Sequence, residues 1–277
     1  MKEMNNFEKK TENPVKIEAI QGPNKNEVAL SPERGGIITS MILNKTEVLH
    51  LNRDNFNDRE KNVRGGIPIL YPNAGPLEND DIYKLKQHGY ARTSEKWELV
   101  EGDIDTLTEV LKSDDETKKG YPFDTTLKIT TKTEEDGSVT INQEATNTEK
   151  DKEAPISMGL HPYFKVKNED KEKIKFDFEG GKEIESDFDN WSEGGTTMID
   201  NPKLQDPEAI LRVEIPGLGT IVMDISQEYK KIWIWTMPGE DFVCVEPVMR
   251  NPNGLVDDPE MVKPGEKVSG KVNYRLE

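Results

Sequence analysis

The segment LKITTKTEEDGSVTIN, residues 127–142, decides the fold that this sequence predicts. Apolar and polar side chains alternate at both of its ends, and a period of two residues is typical of a half-buried β-strand. Asp136-Gly137, between the two runs, signals a tight turn. The segment is therefore predicted to form a hairpin of two antiparallel strands.

The same alternation recurs at residues 174–178, 211–215 and 232–236. Such runs follow one another at intervals of about ten to twenty residues, with no helical segment recognised between them, and this spacing is typical of a sandwich and not of alternating strands and helices. We therefore predict an all-β fold, a large antiparallel β-sandwich. It is expected to occupy one domain, residues 15–277, after a flexible N-terminal segment, residues 1–14.

Composition narrows the classes of function. The 277 residues include 54 acidic and 37 basic side chains, a net charge of −17, which disfavours binding to nucleic acid or to anionic membranes. The single cysteine, Cys244, excludes an internal disulfide and a cysteine-cluster metal site, and it fits a reducing compartment. No signal peptide or membrane span is recognised, so a cytoplasmic protein is expected.

Three histidines can be considered one by one. His88, in QHGYAR, has a glycine beside it and an arginine four residues later, which suits a hydrogen-bonding site for a polar ligand. His161, in GLHPYF, is predicted at a strand end between aromatic rings, where a structural role is also open. His50, in the apolar run VLHL, is interpreted as structural.

Two further charged residues stand in unusual positions. Glu246, in FVCVEP, shares one predicted strand face with Phe242 and Cys244. It is either a structural carboxylate, in a buried ion pair or at an exposed strand end, or a base with a raised pKa. Arg64, in RGGIPILYP, does not begin a phosphate-binding P-loop, but its guanidinium can donate to an anion or to vicinal hydroxyls.

Together, four sequence blocks resemble the galactose-mutarotase-like aldose epimerases, in that family's order, over residues 30–270. They are RGGIPILYP from Arg64, HGYAR from His88, Asn147 followed by GLHPYF around His161, and FVCVEP around Glu246. The resemblance implies a broad β-sandwich whose open face binds a sugar. The function it implies is that of an aldose 1-epimerase without cofactor or metal, acting on a small-molecule sugar as a monomer or homodimer.

The resemblance also implies roles for individual residues. His161 would be the general acid and Glu246 the general base, while His88 and Arg92 would bind sugar oxygens. Tyr163, Phe164 or Trp235 would stack on the ring. A family aspartate that contacts the sugar is matched best by Asp200, with Asp187 and Asp189 as competitors.

The substrate stays open at this point. One branch of the family acts on hexose 6-phosphates, and there the arginines matching Arg64 and Arg92 hold the phosphate; the segment YPNAGPL, residues 71–77, departs from that branch. A non-catalytic carbohydrate-binding protein of the same fold would not need the His161 and Glu246 pair. A glycoside hydrolase would need a second carboxylate in place of the histidine.

Overall fold

The computed structural model describes residues 15–78 and 82–277, so the predicted flexible segment, residues 1–14, lies outside the described residues. Within them the chain forms twenty β-strands. The strands are β1 Glu18–Gln21, β2 Glu27–Ser31, β3 Ile37–Leu43, β4 Thr46–Glu47, β5 Ile69–Leu70, β6 Glu98–Gly102, β7 Thr106–Lys112, β8 Thr125–Thr133, β9 Val139–Asn147, β10 Ala154–Ile156, β11 Gly159–Leu160, β12 Tyr163–Lys165, β13 Lys175–Asp177, β14 Thr197–Asp200, β15 Leu211–Ile215, β16 Gly219–Ile225, β17 Lys231–Trp235, β18 Phe242–Val248, β19 Glu260–Val262 and β20 Lys267–Leu276.

The largest sheet has eight antiparallel strands in the order β13-β15-β16-β20-β9-β8-β7-β6. Its centre is the hairpin predicted from residues 127–142: β8 and β9 pair from Thr125 opposite Asn147 to Thr133 opposite Val139. Gly137 takes a φ of 84° in the connecting loop, a left-handed conformation that favours glycine. Buried and half-buried residues alternate along both strands, as the two-residue period predicts.

A second sheet carries the strands that matter for function. Its order is β14-β17-β18-β11-β5, and β12 also pairs with β18. Every residue of β18 is buried, so both of its faces are covered. Val243 and Val245 point from one face into the main hydrophobic core, which also contains Ile129 and Ile141 of the eight-stranded sheet. The core therefore lies between two sheets, and the predicted all-β antiparallel sandwich is confirmed.

Smaller elements complete the chain. Strands β1 to β4 form a four-stranded sheet, and β10 pairs with β19. In residues 15–78 and 82–277, four short α-helices interrupt the strand succession, contrary to the expectation of none, and two of them fill the connection between β13 and β14. They are α1 Arg53–Asn57, α2 Gly181–Ser186, α3 Phe188–Ser192 and α4 Gly254–Asp257. No helix in the described part of the chain is long and apolar enough to cross a membrane.

Candidate active site

Strand β18 presents Glu246 on the face turned away from the core. Because alternate residues share a face, Phe242 and Cys244 accompany it, while Val243 and Val245 point the other way. Across the neighbouring strand, Glu246 lies opposite Trp233. A carboxylate on a fully buried strand is thus set beside an aromatic side chain.

The link between β11 and β12 brings His161 to the same face. Both strands pair with β18, and the two-residue link between them, His161-Pro162, therefore lies against this strand. The backbone N–H of His161 donates to the carbonyl of Pro68 at 3.2 Å. Its Nδ1 lies 3.4 Å from Oε1 of Glu246, and the two residues are only 4% and 2% exposed. Residues 85 positions apart in sequence thus form one buried acid and base pair.

Burial sets the protonation of this pair. It raises the pKa of Glu246 well above the usual range of a carboxyl, with the charge of Arg92 opposing the shift. It also lowers the pKa of His161 well below the usual range, and His88 and Arg92 add to that effect. Both directions favour neutral groups. A protonated carboxyl beside a neutral imidazole holds one transferable proton, the same number as an imidazolium beside a carboxylate.

His88 adopts a defined tautomer next to the pair. Its φ of 67° is unusual for a residue with a side chain, and its Nδ1 accepts a hydrogen bond from the backbone N–H of Gly75 at 3.0 Å. Burial lowers its pKa to about 3, so the ring is neutral and Nε2 carries the proton. Its ring centroid lies 5.4 Å from that of His161. His88 can therefore donate a hydrogen bond from Nε2 to an oxygen of a ligand, in competition with the side-chain amide of Gln87, whose nitrogen lies 3.1 Å from Nε2.

These side chains line a pocket of about 360 Å³. Its wall also contains the cationic side chains of Arg64, Arg92 and Lys86, against one acidic lining residue, Glu246, among the residues described. Arg64 donates to the sulfur of Met237, and Arg92 donates to the carbonyl of Val63 at 3.4 Å. A cationic pocket in a chain of net charge −17 favours a ligand that is anionic or rich in oxygen.

Aromatic rings form the apolar part of the wall. Tyr163 stacks on His161 with centroids 4.6 Å apart, and Trp235 contacts His161 edge-on at 5.9 Å. Phe164 does not reach the pocket. It is fully buried on the opposite face of β12 and packs against Tyr274, so the predicted stacking role for Phe164 is corrected.

The structure brings seven residues predicted for the site to this pocket: Arg64, His88, Arg92, His161, Tyr163, Trp235 and Glu246. Asp200 is not among the lining residues. Asp200 lies on the same face of the sheet as Trp233, but further along the strand, opposite Lys231. Its carboxylate forms an ion pair with that lysine at 2.6 Å. The competitor Asp187 lies between α2 and α3 and Asp189 lies within α3, both also outside the lining.

Sequence reasoning missed two lining residues with evident chemistry. Trp233 lies two residues before Trp235, and the period of two in the run IWIW was sufficient to place both on one face. Lys86, two residues before His88, gave no signal, because a lysine in a polar loop is ordinarily solvated. His50 lies outside the pocket lining, near Phe242. It belongs to no strand, and its neighbours Leu49 and Leu51 form isolated bridges with Phe164 and Gly65.

Three residues of this site also combine ligand atoms of different kinds. A nitrogen of His161, the sulfur of Cys244 and an oxygen of Glu246 all lie within 4.8 Å of one another, and all three residues are buried. The single cysteine excludes a metal site made of several cysteines, but it does not exclude a site with this mixed set of ligand atoms.

Comparison with known proteins gives consistent results. A family model described as aldose 1-epimerase matches residues 19–275. A protein of known structure from Synechocystis sp. PCC 6803 is 26% identical, with a TM-score of 0.78 over 99% of each chain. A galactose mutarotase-like protein from Lactobacillus casei is 19% identical, with a TM-score of 0.73 over 95% of this chain and 100% of the other. A putative mutarotase from Salmonella typhimurium is 21% identical, with a TM-score of 0.69 over 94% of this chain and 90% of the other.

Proposed function

The chain belongs to the aldose 1-epimerase family, isomerases that act on carbohydrates, and from this premise we propose that it interconverts the α and β anomers of a hexose. The observation that carries the proposal is the pair of His161 and Glu246, 3.4 Å apart and buried at the base of a polar pocket. Their roles are the acid and the base of ring opening and closure.

Anomer exchange needs two proton transfers in each direction. In the reactive form of the pair the shared proton lies on His161 and Glu246 is ionised, which is the tautomer of the neutral pair. In this form Glu246 takes the proton of the anomeric hydroxyl, and His161 gives a proton to the ring oxygen as the bond between C1 and that oxygen breaks. The resulting aldehyde rotates about its C1–C2 bond, and the reverse transfers close the ring on the other side. One transferable proton within the pair is enough for this cycle, so its proton balance requires no cofactor.

The other lining residues would hold the sugar while its ring opens. His88 donates from Nε2 to a sugar oxygen, as its tautomer requires. Tyr163, Trp233 and Trp235 offer apolar ring faces to the C–H side of a pyranose. The arrangement fixes the sugar at its oxygens and leaves C1 next to the reacting pair.

A phosphorylated hexose is the second candidate substrate, and the charge of the pocket favours it. Three cations, Arg64, Arg92 and Lys86, line the same wall. Charge-assisted hydrogen bonds to a phosphate are stronger than those to neutral hydroxyls. The segment at residues 71–77, which differs from the branch that acts on hexose 6-phosphates, contains none of these three cations.

The test is polarimetry or NMR of anomer exchange with freshly dissolved α-glucose, α-galactose and glucose 6-phosphate, with and without the protein. We expect acceleration above the spontaneous rate for at least one of the three. The preferred sugar then identifies the substrate class. No acceleration of any of them, with binding still detected by calorimetry, would contradict the proposed activity.

A substitution separates the two substrates. Arg64→Ala is expected to lower kcat/KM for the phosphorylated sugar about 10-fold or more, with a much smaller loss for the neutral sugar, because a charge-assisted hydrogen bond is worth roughly 1.5–3 kcal/mol. Arg212→Ala, in β15 and away from the pocket, is the matched control and should leave both rates unchanged. Equal losses for both sugars would reject the phosphate role of Arg64.

A reducing, cytoplasmic location is proposed as well. It is supported by the single cysteine, Cys244, which is a buried free thiol. Fractionation of the source cells, followed by immunodetection, tests this location.

A further inference from the structure

Cys244 is a neighbour of the reacting pair that the proposed chemistry does not use. It lies in β18 two residues before Glu246, and strand pairing places it opposite Trp235 on one side and Tyr163 on the other. Its thiol is fully buried, and it shares a 4.8 Å cluster with His161 and Glu246. The cluster thus offers one nitrogen, one sulfur and one oxygen to a common point.

Two atoms of this cluster have unused bonding capacity. Nδ1 of His161 and Oε2 of Glu246 are buried without a hydrogen-bond partner among the described residues. A buried polar atom without a partner costs roughly 1–3 kcal/mol, and most such atoms in proteins have a partner. Both groups can donate an electron pair, so a bound cation would satisfy both of them at once.

We propose that His161, Cys244 and Glu246 form a binding site for Zn²⁺. Zinc takes a mixed set of imidazole, thiolate and carboxylate ligands. Bonds of about 2.0–2.3 Å in a tetrahedron separate the ligand atoms by about 3.3–3.8 Å, so the widest pair here closes by about 1 Å. The pocket in front of His161 and Glu246 provides the fourth position for water or a solute oxygen.

Charge balance supports the same cation. On binding, the Cys244 thiol and the protonated carboxyl of Glu246 each lose a proton to solvent, and the resulting thiolate and carboxylate together neutralise the two charges of the metal. Arg92 opposes binding, because its positive charge acts on both His161 and Glu246. Mg²⁺ and Ca²⁺ prefer oxygen ligands throughout and are therefore not expected to compete.

Occupation of this site has a functional consequence, which rests on the proposed epimerase activity. A metal on Nδ1 of His161 and on the carboxylate of Glu246 would occupy the lone pairs that the acid and base need. Zinc would therefore inhibit anomer exchange, and removal of zinc by a chelator would restore it.

Direct binding is measured first, without reference to activity. Equilibrium dialysis is expected to show one Zn²⁺ per chain, and Co²⁺ as a probe should give the near-ultraviolet thiolate charge-transfer band of a cobalt–sulfur bond. Cys244→Ser should weaken binding at least about 10-fold and remove the band. His50→Gln, which changes the one histidine outside the pocket lining, is the control and should bind as the parent does.

The outcomes are separable. The proposed zinc site would be rejected if the unmodified chain showed no thiolate band with Co²⁺, or if Cys244→Ser left zinc binding unchanged. The first of these measurements uses only the unmodified chain, so it does not depend on the folding of a variant. Zinc should also lower the anomer exchange rate at least about 10-fold, with each variant compared to its own metal-free rate. Zinc binding in a chain without epimerase activity rejects the proposed function and leaves the site; activity without zinc binding rejects only the site.

Discussion

Two buried glutamates, one in each main sheet, differ in what surrounds them. Glu246 in β18 and Glu109 in β7 are 2% and 0% exposed, and burial raises the pKa of both. Glu246 has an imidazole 3.4 Å away and faces a pocket. Glu109 packs near Trp97, and neither of its carboxylate oxygens has a hydrogen-bond partner among the described residues. Burial disfavours ionisation of both carboxyls, but of the two only Glu246 has a neighbouring group that can exchange a proton with it and a pocket that admits a ligand.

The comparison separates two uses of a raised pKa. At Glu246 the shift retains a proton next to a group that can exchange it with a substrate. At Glu109 the pKa is raised to about 8 by burial alone, so the same shift only changes the stability of the fold with pH. A perturbed carboxyl is a candidate for catalysis when geometry also supplies a partner and a cavity.

The largest expected effect is on catalysis at Glu246. Glu246→Gln keeps the shape of the side chain and removes the base, so anomer exchange should fall at least about 100-fold with the fold retained. Glu109→Gln is the matched variant at the other glutamate and should leave the rate within about twofold. Both rates are measured by polarimetry, and circular dichroism checks the fold.

Two results would break the distinction. A fully active Glu246→Gln variant would remove the proposed base. A loss of activity in a folded Glu109→Gln variant would mean that the interior below β7 is coupled to the pocket, and burial alone would then be a poor guide to function.

A smaller effect is expected at Glu109, on the pH dependence of the free energy of unfolding. Its pKa in the folded chain, about 8, exceeds the ordinary value of 4.5, so its contribution to stability is complete below about pH 4.5 and is lost as pH rises toward 8. The loss is at most about 1.4 kcal/mol per pH unit. Glu109→Gln cannot ionise, so its free energy of unfolding should exceed that of the parent increasingly from pH 5 to pH 8.

Glu144 provides the opposite sign as a control. Burial alone would raise its pKa, but hydrogen bonds from Lys267 and Lys128 outweigh burial and lower it. Its contribution is therefore present above the ordinary pKa and is lost as pH falls. Glu144→Gln should destabilise the chain at pH 7, and its free energy of unfolding should approach that of the parent in acid.

A Glu109→Gln variant whose free energy of unfolding follows that of the parent at every pH would contradict a neutral buried Glu109.

The sequence predicts the sandwich well because its signals are local. The alternation in residues 127–142 and 211–215 depends on a two-residue period, and the structure pairs both segments as strands. Glu246 stands out locally as a carboxylate in an apolar run and His161 as a histidine between Gly159-Leu160 and Pro162, and the family resemblance implies their roles. Neither signal contains the distance between them, which arises only when β11, β12 and β18 pair.

The placement of some pocket-lining or buried residues depends on packing that no local pattern encodes. Lys86 reaches the pocket from a loop, and Glu109 is buried although its neighbours in β7 predict an ordinary strand. Asp200 illustrates the converse. The family resemblance implies a sugar contact for an aspartate between His161 and Glu246, matched best by Asp200, but the register of β14 against β17 sets Asp200 opposite Lys231. A shift of a few residues along a strand moves a side chain out of reach of a ligand.

The smallest expected effect is therefore at Asp200. Its carboxylate is 61% exposed and pairs with Lys231 at 2.6 Å, and an exposed pair of this kind contributes roughly 0–1 kcal/mol to stability. Asp200→Asn should change kcat/KM less than about twofold, far less than Glu246→Gln, and Asp187→Asn offers a parallel comparison. A 10-fold rise in KM for Asp200→Asn alone, with kcat retained, would show instead that Asp200 contacts the bound sugar, because a lost ground-state contact raises KM without slowing the chemical step.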